Sequence, residues 1–237
     1  MTFAALAGGL QSVCAQEPPV PAKWQTTAYT GLTLTRGNSD TFLGTVSLDT
    51  KRKWPKDELA LGISGAYGKV NSVENQKSVY GFGQYNRLMS DRFYFGVRLD
   101  ALYDGITGVD YRVKLSPLAG YYLIKAAKTS LAFETGPSVV LGKLRGAARE
   151  TYLGVRFGER FEHKFTDTTK LWQTLEYLPQ VDRWADKYLL TAELGVDAAI
   201  TKKVGLRTVL QDIYDSEPSP GRKKNDVRLI AGVTYKF

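Results

Sequence analysis

From Trp24 to Phe237, apolar and polar positions alternate with a period of two, in segments of roughly ten residues separated by turn-forming clusters. The final segment is the cleanest. Val227, Leu229, Ala231, Val233, Tyr235 and Phe237 occupy one face, and Arg228, Gly232, Thr234 and Lys236 the other, with Ile230 the exception. Segment 93–103 sets Phe93, Phe95, Val97, Leu99, Ala101 and Tyr103 against Tyr94, Gly96, Arg98, Asp100 and Leu102, and segments 59–68 and 188–198 repeat the pattern. Successive side chains of a strand point to opposite sides, so each window reads as a strand with one apolar and one polar face. The spacings of three and four that a helix needs fit none of them. The chain reads as all-β.

Strands are predicted near 24–35, 41–52, 59–69, 77–88, 92–103, 111–123, 129–141, 150–161, 170–178, 187–199, 203–213 and 226–237. Segments 77–88 and 170–178 alternate least cleanly, which leaves the count at ten or twelve. The connections fall into two sets. Those at 36–40, 70–75, 104–110, 142–148, 179–186 and 214–225 are on the whole longer and richer in Gly, Pro and Asn than WPKDE, Ser90-Asp91, IKAAK, HKFTDTT and TKK. Long connections at one end and short ones at the other describe an up-and-down antiparallel barrel.

An apolar face can point into a soluble barrel or out into lipid. The polar face carries both charge signs and suits either water or a lumen, so it does not decide. The aromatics do. Trp24, Tyr67, Phe93, Tyr103, Tyr111, Tyr121, Tyr188, Tyr235 and Phe237 collect near strand ends, at the depth of lipid headgroups, where a soluble sandwich would bury them mid-strand. The expected fold class is therefore an all-β, antiparallel up-and-down transmembrane β-barrel of about twelve strands. Composition is compatible with this: 14 Tyr, 10 Phe and 4 Trp suffice for two aromatic girdles. The mean hydropathy of −0.25 looks soluble, yet polar lumen positions dilute the hydropathy of any such barrel.

The N-terminal stretch FAALAGGLQSVCA (3–15) is short, apolar and ends in Val13-Cys14-Ala15, a small-x-small pattern that predicts cleavage after Ala15. Residues 1–15 are thus expected to be a signal peptide truncated at its N-terminus, 16–23 a Pro-rich periplasmic lead-in, and 24–237 the barrel. Cys14 is the single cysteine, so the mature chain would hold neither a disulfide scaffold nor a cysteine metal site. The net charge of +8 is spread along the whole chain rather than gathered in one patch. That argues against nucleic acid and for a cationic lumen with loops facing anionic lipopolysaccharide.

The chain ends inside its last strand with Gly232, Tyr235 and Phe237 in a Gly-x-x-Tyr-x-Phe pattern. This ending resembles the signal read by the outer-membrane barrel assembly machinery, although Ile230 stands where that pattern prefers a polar residue. Further motifs occur in order. They are Gly31-Leu32-Thr33-Leu34-Thr35-Arg36-Gly37-Asn38-Ser39-Asp40-Thr41, Ser90-Asp91-Arg92-Phe93-Tyr94, Gly108-Val109-Asp110-Tyr111-Arg112 and Glu134-Thr135-Gly136-Pro137. The last is the late segment 214–221 with Lys223-Lys224. Together they resemble a family of salt-induced outer-membrane proteins, also described as a domain of unknown function, over residues 24–237. The resemblance implies a bacterial outer-membrane barrel with no known catalytic residues. Its partners would be membrane lipid, lipopolysaccharide, and the assembly machinery and periplasmic chaperones during biogenesis. A monomer with no cofactor is expected.

No catalytic group is expected either. Outer-membrane phospholipases and omptin-like proteases need a histidine at the outer rim, and the one histidine, His163, falls at a short turn on the opposite side. Asp104, Asp110 and Asp215 could hold Ca²⁺, but charged loops beside lipopolysaccharide explain them better. Candidate function lies in the lumen. Parity turns Arg98, Asp100, Arg112, Lys114, Glu134, Arg156, Arg160, Glu176, Glu193, Asp197, Arg207 and Arg228 inward. These charges either pair across a narrow barrel and plug it or, with basic residues in excess, line a small anion-preferring pore. The alternative is adhesion or partner binding through 214–225.

Overall fold

The computed structural model describes residues 23–35 and 41–237. The expected signal peptide, the lead-in up to residue 22 and the turn 36–40 lie outside the described residues. Twelve strands form. The first six are β1 (Gln25–Thr35), β2 (Thr41–Lys53), β3 (Asp57–Val70), β4 (Val73–Leu88), β5 (Phe93–Asp104) and β6 (Val109–Lys125). The second six are β7 (Thr129–Leu144), β8 (Arg149–Lys164), β9 (Thr169–Pro179), β10 (Tyr188–Ala199), β11 (Val204–Asp215) and β12 (Asn225–Lys236). Each pairs antiparallel with its neighbours in sequence, and β1 also pairs with β12, which closes the barrel. The two weakly alternating segments are β4 and β9, so the count is twelve. The closing seam is short: β1 and β12 share four register pairs, Thr27↔Lys236 to Thr30↔Val233, where β1 and β2 share eleven.

One sequence expectation needs correction. Residues 70–75 were predicted as a loop, but β3 and β4 run on and turn through Asn71 and Ser72, with φ of 48° and 66°. Positive φ at both central residues gives a two-residue turn whose twist matches the strands it joins. Val73, Glu74 and Asn75 are all exposed, so the tip of this hairpin has no buried face to impose alternation. Strands β6, β7 and β8 likewise extend past their predicted ends. The remaining connections are 105–108, 145–148, 180–187 (with a 3-10 turn at Val181–Arg183) and 216–224 at one end, called the loop end below. At the other, the turn end, are 54–56, 89–92, 126–128, 165–168 and 200–203, together with the start of β1 and the finish of β12.

The molecule is inside-out. Leu32, Ile63 and Leu229 are 63%, 56% and 70% exposed, and comparable aliphatics ring the outer wall from Val46 to Leu206. A continuous apolar belt of this kind is stable against hydrocarbon and not against water. Aromatics border it at both ends. Tyr177, Tyr188 and Tyr214 stack at the loop end, with centroids 5.5 Å apart in each step. Trp24 and Trp54 clasp Arg52 at the turn end. The buried groups include Gln84, Asn86, Asp100, Ser116, Glu134, Ser138 and Arg156. They project from the inner face of β4–β8, and a polar interior on this scale must satisfy its own hydrogen bonds. Opposite them the inner face of β2 and β3 is built from small residues, Thr45, Ser47, Ala60, Gly62, Ser64 and Ala66, which leaves space for long side chains.

Candidate functional site

Side chains from strands that are not neighbours in the ring can meet only across the interior. Such contacts occur at three depths. In the middle, Glu134 of β7 is completely buried and accepts hydrogen bonds from Gln84 of β4 (2.7 Å) and Tyr94 of β5 (2.8 Å). Arg156 and Arg160 of β8 pair with it at 2.9 and 2.7 Å. Arg156 also reaches Glu176 of β9 (2.8 Å), whose other oxygen takes Lys114 of β6. Arg98 of β5 completes the network. Its guanidinium donates to Asp100 (2.8 Å), to the Gln84 side-chain carbonyl (3.0 Å) and to the Tyr80 hydroxyl (3.0 Å), and it lies over the Phe82 ring. Tyr80 in turn donates to Asp100 at 2.5 Å. Seven predicted residues, Arg98, Asp100, Lys114, Glu134, Arg156, Arg160 and Glu176, thus form one connected web on β4–β9.

A second cluster sits across the lumen. Arg207 of β11 pairs with Asp197 of β10 (2.7 Å) and lies 3.6 Å from Asp49 of β2. The Trp172 indole also donates to Asp197 (3.3 Å). Glu193 accepts from Gln211 (2.6 Å), and no cation lies within 4.0 Å of it among the described residues. Parity reasoning omitted Asp49, although it shares the inner face of β2 with Ser47. It also omitted the neutral donors Tyr80, Gln84 and Tyr94, because the predicted set was restricted to charges.

At the loop end the remaining predicted cations find carboxylates on the far wall. Arg112 of β6 meets Asp215 of β11 at 2.6 Å, and Arg228 of β12 meets Asp104 of β5 at 3.2 Å. The segment 216–224 folds inward over them. The hydroxyl of buried Ser219 donates to the backbone carbonyl of Gly108 (3.0 Å), on the opposite rim. Gly108 has φ +78°, and a Cβ there would sit 2.8 Å from the Ser219 hydroxyl oxygen, so no other residue fits this contact without strain. Glu217 pairs with Arg183 and with Lys187, tying the same segment to 180–187. The hydrogen-bonded Arg183 guanidinium holds the Glu217 carboxyl below the usual carboxylate range. Beside this strap lies a cavity of about 90 Å³, lined by Arg112, Tyr152, Lys187, Asp215 and Glu217 among others.

The other candidates separate. Asp104 caps its own turn and pairs with Arg228, while Asp215 pairs with Arg112. Asp110 lies 3.8 Å from Lys143 and from Arg145. These three do not converge, and no group of three metal-binding side chains occurs among the described residues. His163 lies one residue before the end of β8 at the turn end, bonded to Thr129 and packed between Phe161 and Phe165. Of the predicted assembly residues, Gly232 lies where β12 meets β1, and a Cβ there would stand 2.3 Å from the Thr30 carbonyl. Tyr235 and Phe237 meet edge-on at 5.1 Å on the outer rim.

The same fold is found in three solved structures. The NanC porin aligns with a TM-score of 0.55 at 8% identity, covering 90% of this chain and 100% of that one. The COG4313 outer membrane channel from Pseudomonas putida F1 gives 0.51 at 13%, covering 97% and 100%. The KdgM porin in complex with disordered oligogalacturonate gives 0.50 at 12%, covering 90% and 99%. At these identities the likeness is one of fold. No curated protein matches the chain in sequence. The family described as Protein of unknown function, DUF481, matches residues 28–237, and the chain belongs to it.

Proposed function

We propose that the chain is an outer-membrane barrel of porin type whose passage is held nearly shut, a low-conductance pore with its loop end facing the outside. One observation carries this reading: contacts bridge strands that are not ring neighbours at mid-lumen, Lys114 of β6 to Glu176 of β9, and join opposite walls beneath the strap, Arg228–Asp104 with Ser219–Gly108. A wide aqueous channel would leave those groups in water. The charge balance supports occlusion over a strongly anion-selective channel. The predicted inward set held more cations than carboxylates, but Asp49, Asp104 and Asp215 also face the interior and answer Arg207, Arg228 and Arg112. A weak anion preference then comes from the turn-end mouth, which is basic, and not from mid-lumen. Adhesion through 214–225 has less support, because Ser216 and Ser219 are buried in the mouth and only the stretch 220–225, with Arg222, Lys223 and Lys224 as its charges, is exposed. A salt-stress role, implied by the family resemblance, fits a barrel that restricts ion flow. The porin-type neighbours lend no support to an enzyme.

Planar-bilayer recording of the refolded barrel tests the reading. Small, infrequent current steps are expected, and replacing residues 217–223 with a short Gly-Ser linker should enlarge them several-fold. Large steady currents from the unaltered protein would refute the occluded barrel.

A further inference from the structure

The turn-end mouth holds a group of charges that occlusion does not explain. At the loop end, the inward cations Arg112 and Arg228 each meet a carboxylate, Asp215 and Asp104. At the turn end, six lysines converge, Lys51 and Lys53 of β2, Lys125 of β6, Lys128 of the 126–128 turn, Lys164 of β8 and Lys170 of β9. Lys51 lies within the electrostatic reach of Lys53, Lys164 and Lys170. Three carboxylates answer them, and all are already engaged. Glu58 takes Lys53 (3.0 Å) and the Tyr122 hydroxyl (2.7 Å), Glu162 takes Lys170 (3.1 Å), and Asp197, paired with Arg207, lies 3.7 Å from Lys170. Lys125 donates to the backbone carbonyl of Asp91 (2.6 Å) and lies over the Tyr122 ring. Lys51, Lys128 and Lys164 have no salt bridge among the described residues.

Four of these lysines, Lys53, Lys125, Lys128 and Lys164, line a single open pocket of about 180 Å³ between the 126–128 turn and β2, with Glu162 also in its wall. Of the four, Lys128 and Lys164 have no carboxylate partner among the described residues, and like charges held around one cavity repel, a repulsion that is relieved when an anion enters. The pocket wall includes the inner-face side chains Tyr122 and Glu162. Lysines are compact, flexible point charges and accept phosphate or carboxylate without a fixed fork geometry.

We propose that this mouth is a binding site for a compact soluble polyanion, a molecule carrying two or more phosphate or carboxylate groups. The proposal concerns binding at one end and holds whether or not the barrel conducts. Titration calorimetry of the full refolded barrel in zwitterionic detergent, with inorganic tripolyphosphate as the probe, tests it. Saturable one-to-one binding that weakens steeply with added salt is expected. The double variant Lys128→Gln/Lys164→Gln, at exposed positions in a turn and at the end of β8, should keep its heat-modifiable folded band and bind at least roughly tenfold more weakly. Lys223→Gln/Lys224→Gln removes the same charge at the opposite end and should bind as the parent does. Absence of saturable binding by the parent overturns the site. Equal weakening in both double variants would show attraction to net charge alone and overturn it as well.

Discussion

Arg156 holds two buried carboxylates at once, Glu134 at 2.9 Å and Glu176 at 2.8 Å. Taken out of water, such charges contribute little net stability as a set, but removing one partner leaves the others uncompensated. Arg156→Leu is therefore expected to destabilise the barrel by roughly 3–5 kcal/mol, measured by urea unfolding in lipid vesicles with tryptophan fluorescence. The outer wall obeys the opposite rule. Glu159 of β8 stands in register with Phe133 and Leu175 on the apolar face, where its partner is Gln173 (3.1 Å). Glu159→Leu should leave stability unchanged or raise it, whereas Leu194→Arg on the same face should cost roughly 2–4 kcal/mol near the bilayer midplane. A Glu159→Leu variant less stable than Arg156→Leu would mean that inner and outer faces are exchanged.

Among the elements, strands were legible wherever one face is buried. β12 was read residue by residue because lipid on one side and lumen on the other force strict alternation. The tips were not, since the exposed hairpin around Asn71 and Ser72 has no such constraint and its polar residues look like any loop. The strap 216–224 was recognised as long, but its inward fold depends on Gly108, which lies 111 residues before Ser219. Its hold is electrostatic in part, and this sets a pH dependence. A carboxyl with a lowered pKa stabilises the folded contact above its ordinary value, and the contribution is lost as pH falls through the lowered one. The Glu217–Arg183 pair should therefore hold at neutral pH, begin to weaken below the ordinary carboxylate value of about 4.3, and fail as pH falls through the lowered one. Single-channel current is expected to stay flat near neutrality and to rise below that pH. Glu217→Gln should remove the step and raise the current throughout. A step that persists in Glu217→Gln would assign it to another group.

For the whole molecule, parity along each strand indicates which charges face inward, but not which of them meet. Arg228 and Asp104 are 124 residues apart and belong to strands on opposite walls, so their pairing follows from strand number and stagger and not from any local pattern. Asp49 shows the same limit: its value to Arg207 exists only once β2 and β11 are bent into one ring. That ring is closed by four register pairs between β1 and β12, while β11 holds β12 along eleven. Backbone amides report this difference directly. Alternate amides of an antiparallel strand point to opposite neighbours, so along 226–232 those aimed at β11 should exchange their hydrogens for deuterium slowly and those aimed at β1 quickly. This would give a one-in-two protection pattern. The cylinder then breathes like a zip with one short row of teeth, parting first beside Gly31 and Gly232, where a hydrocarbon chain from the surrounding leaflet could lie against an unpaired backbone edge.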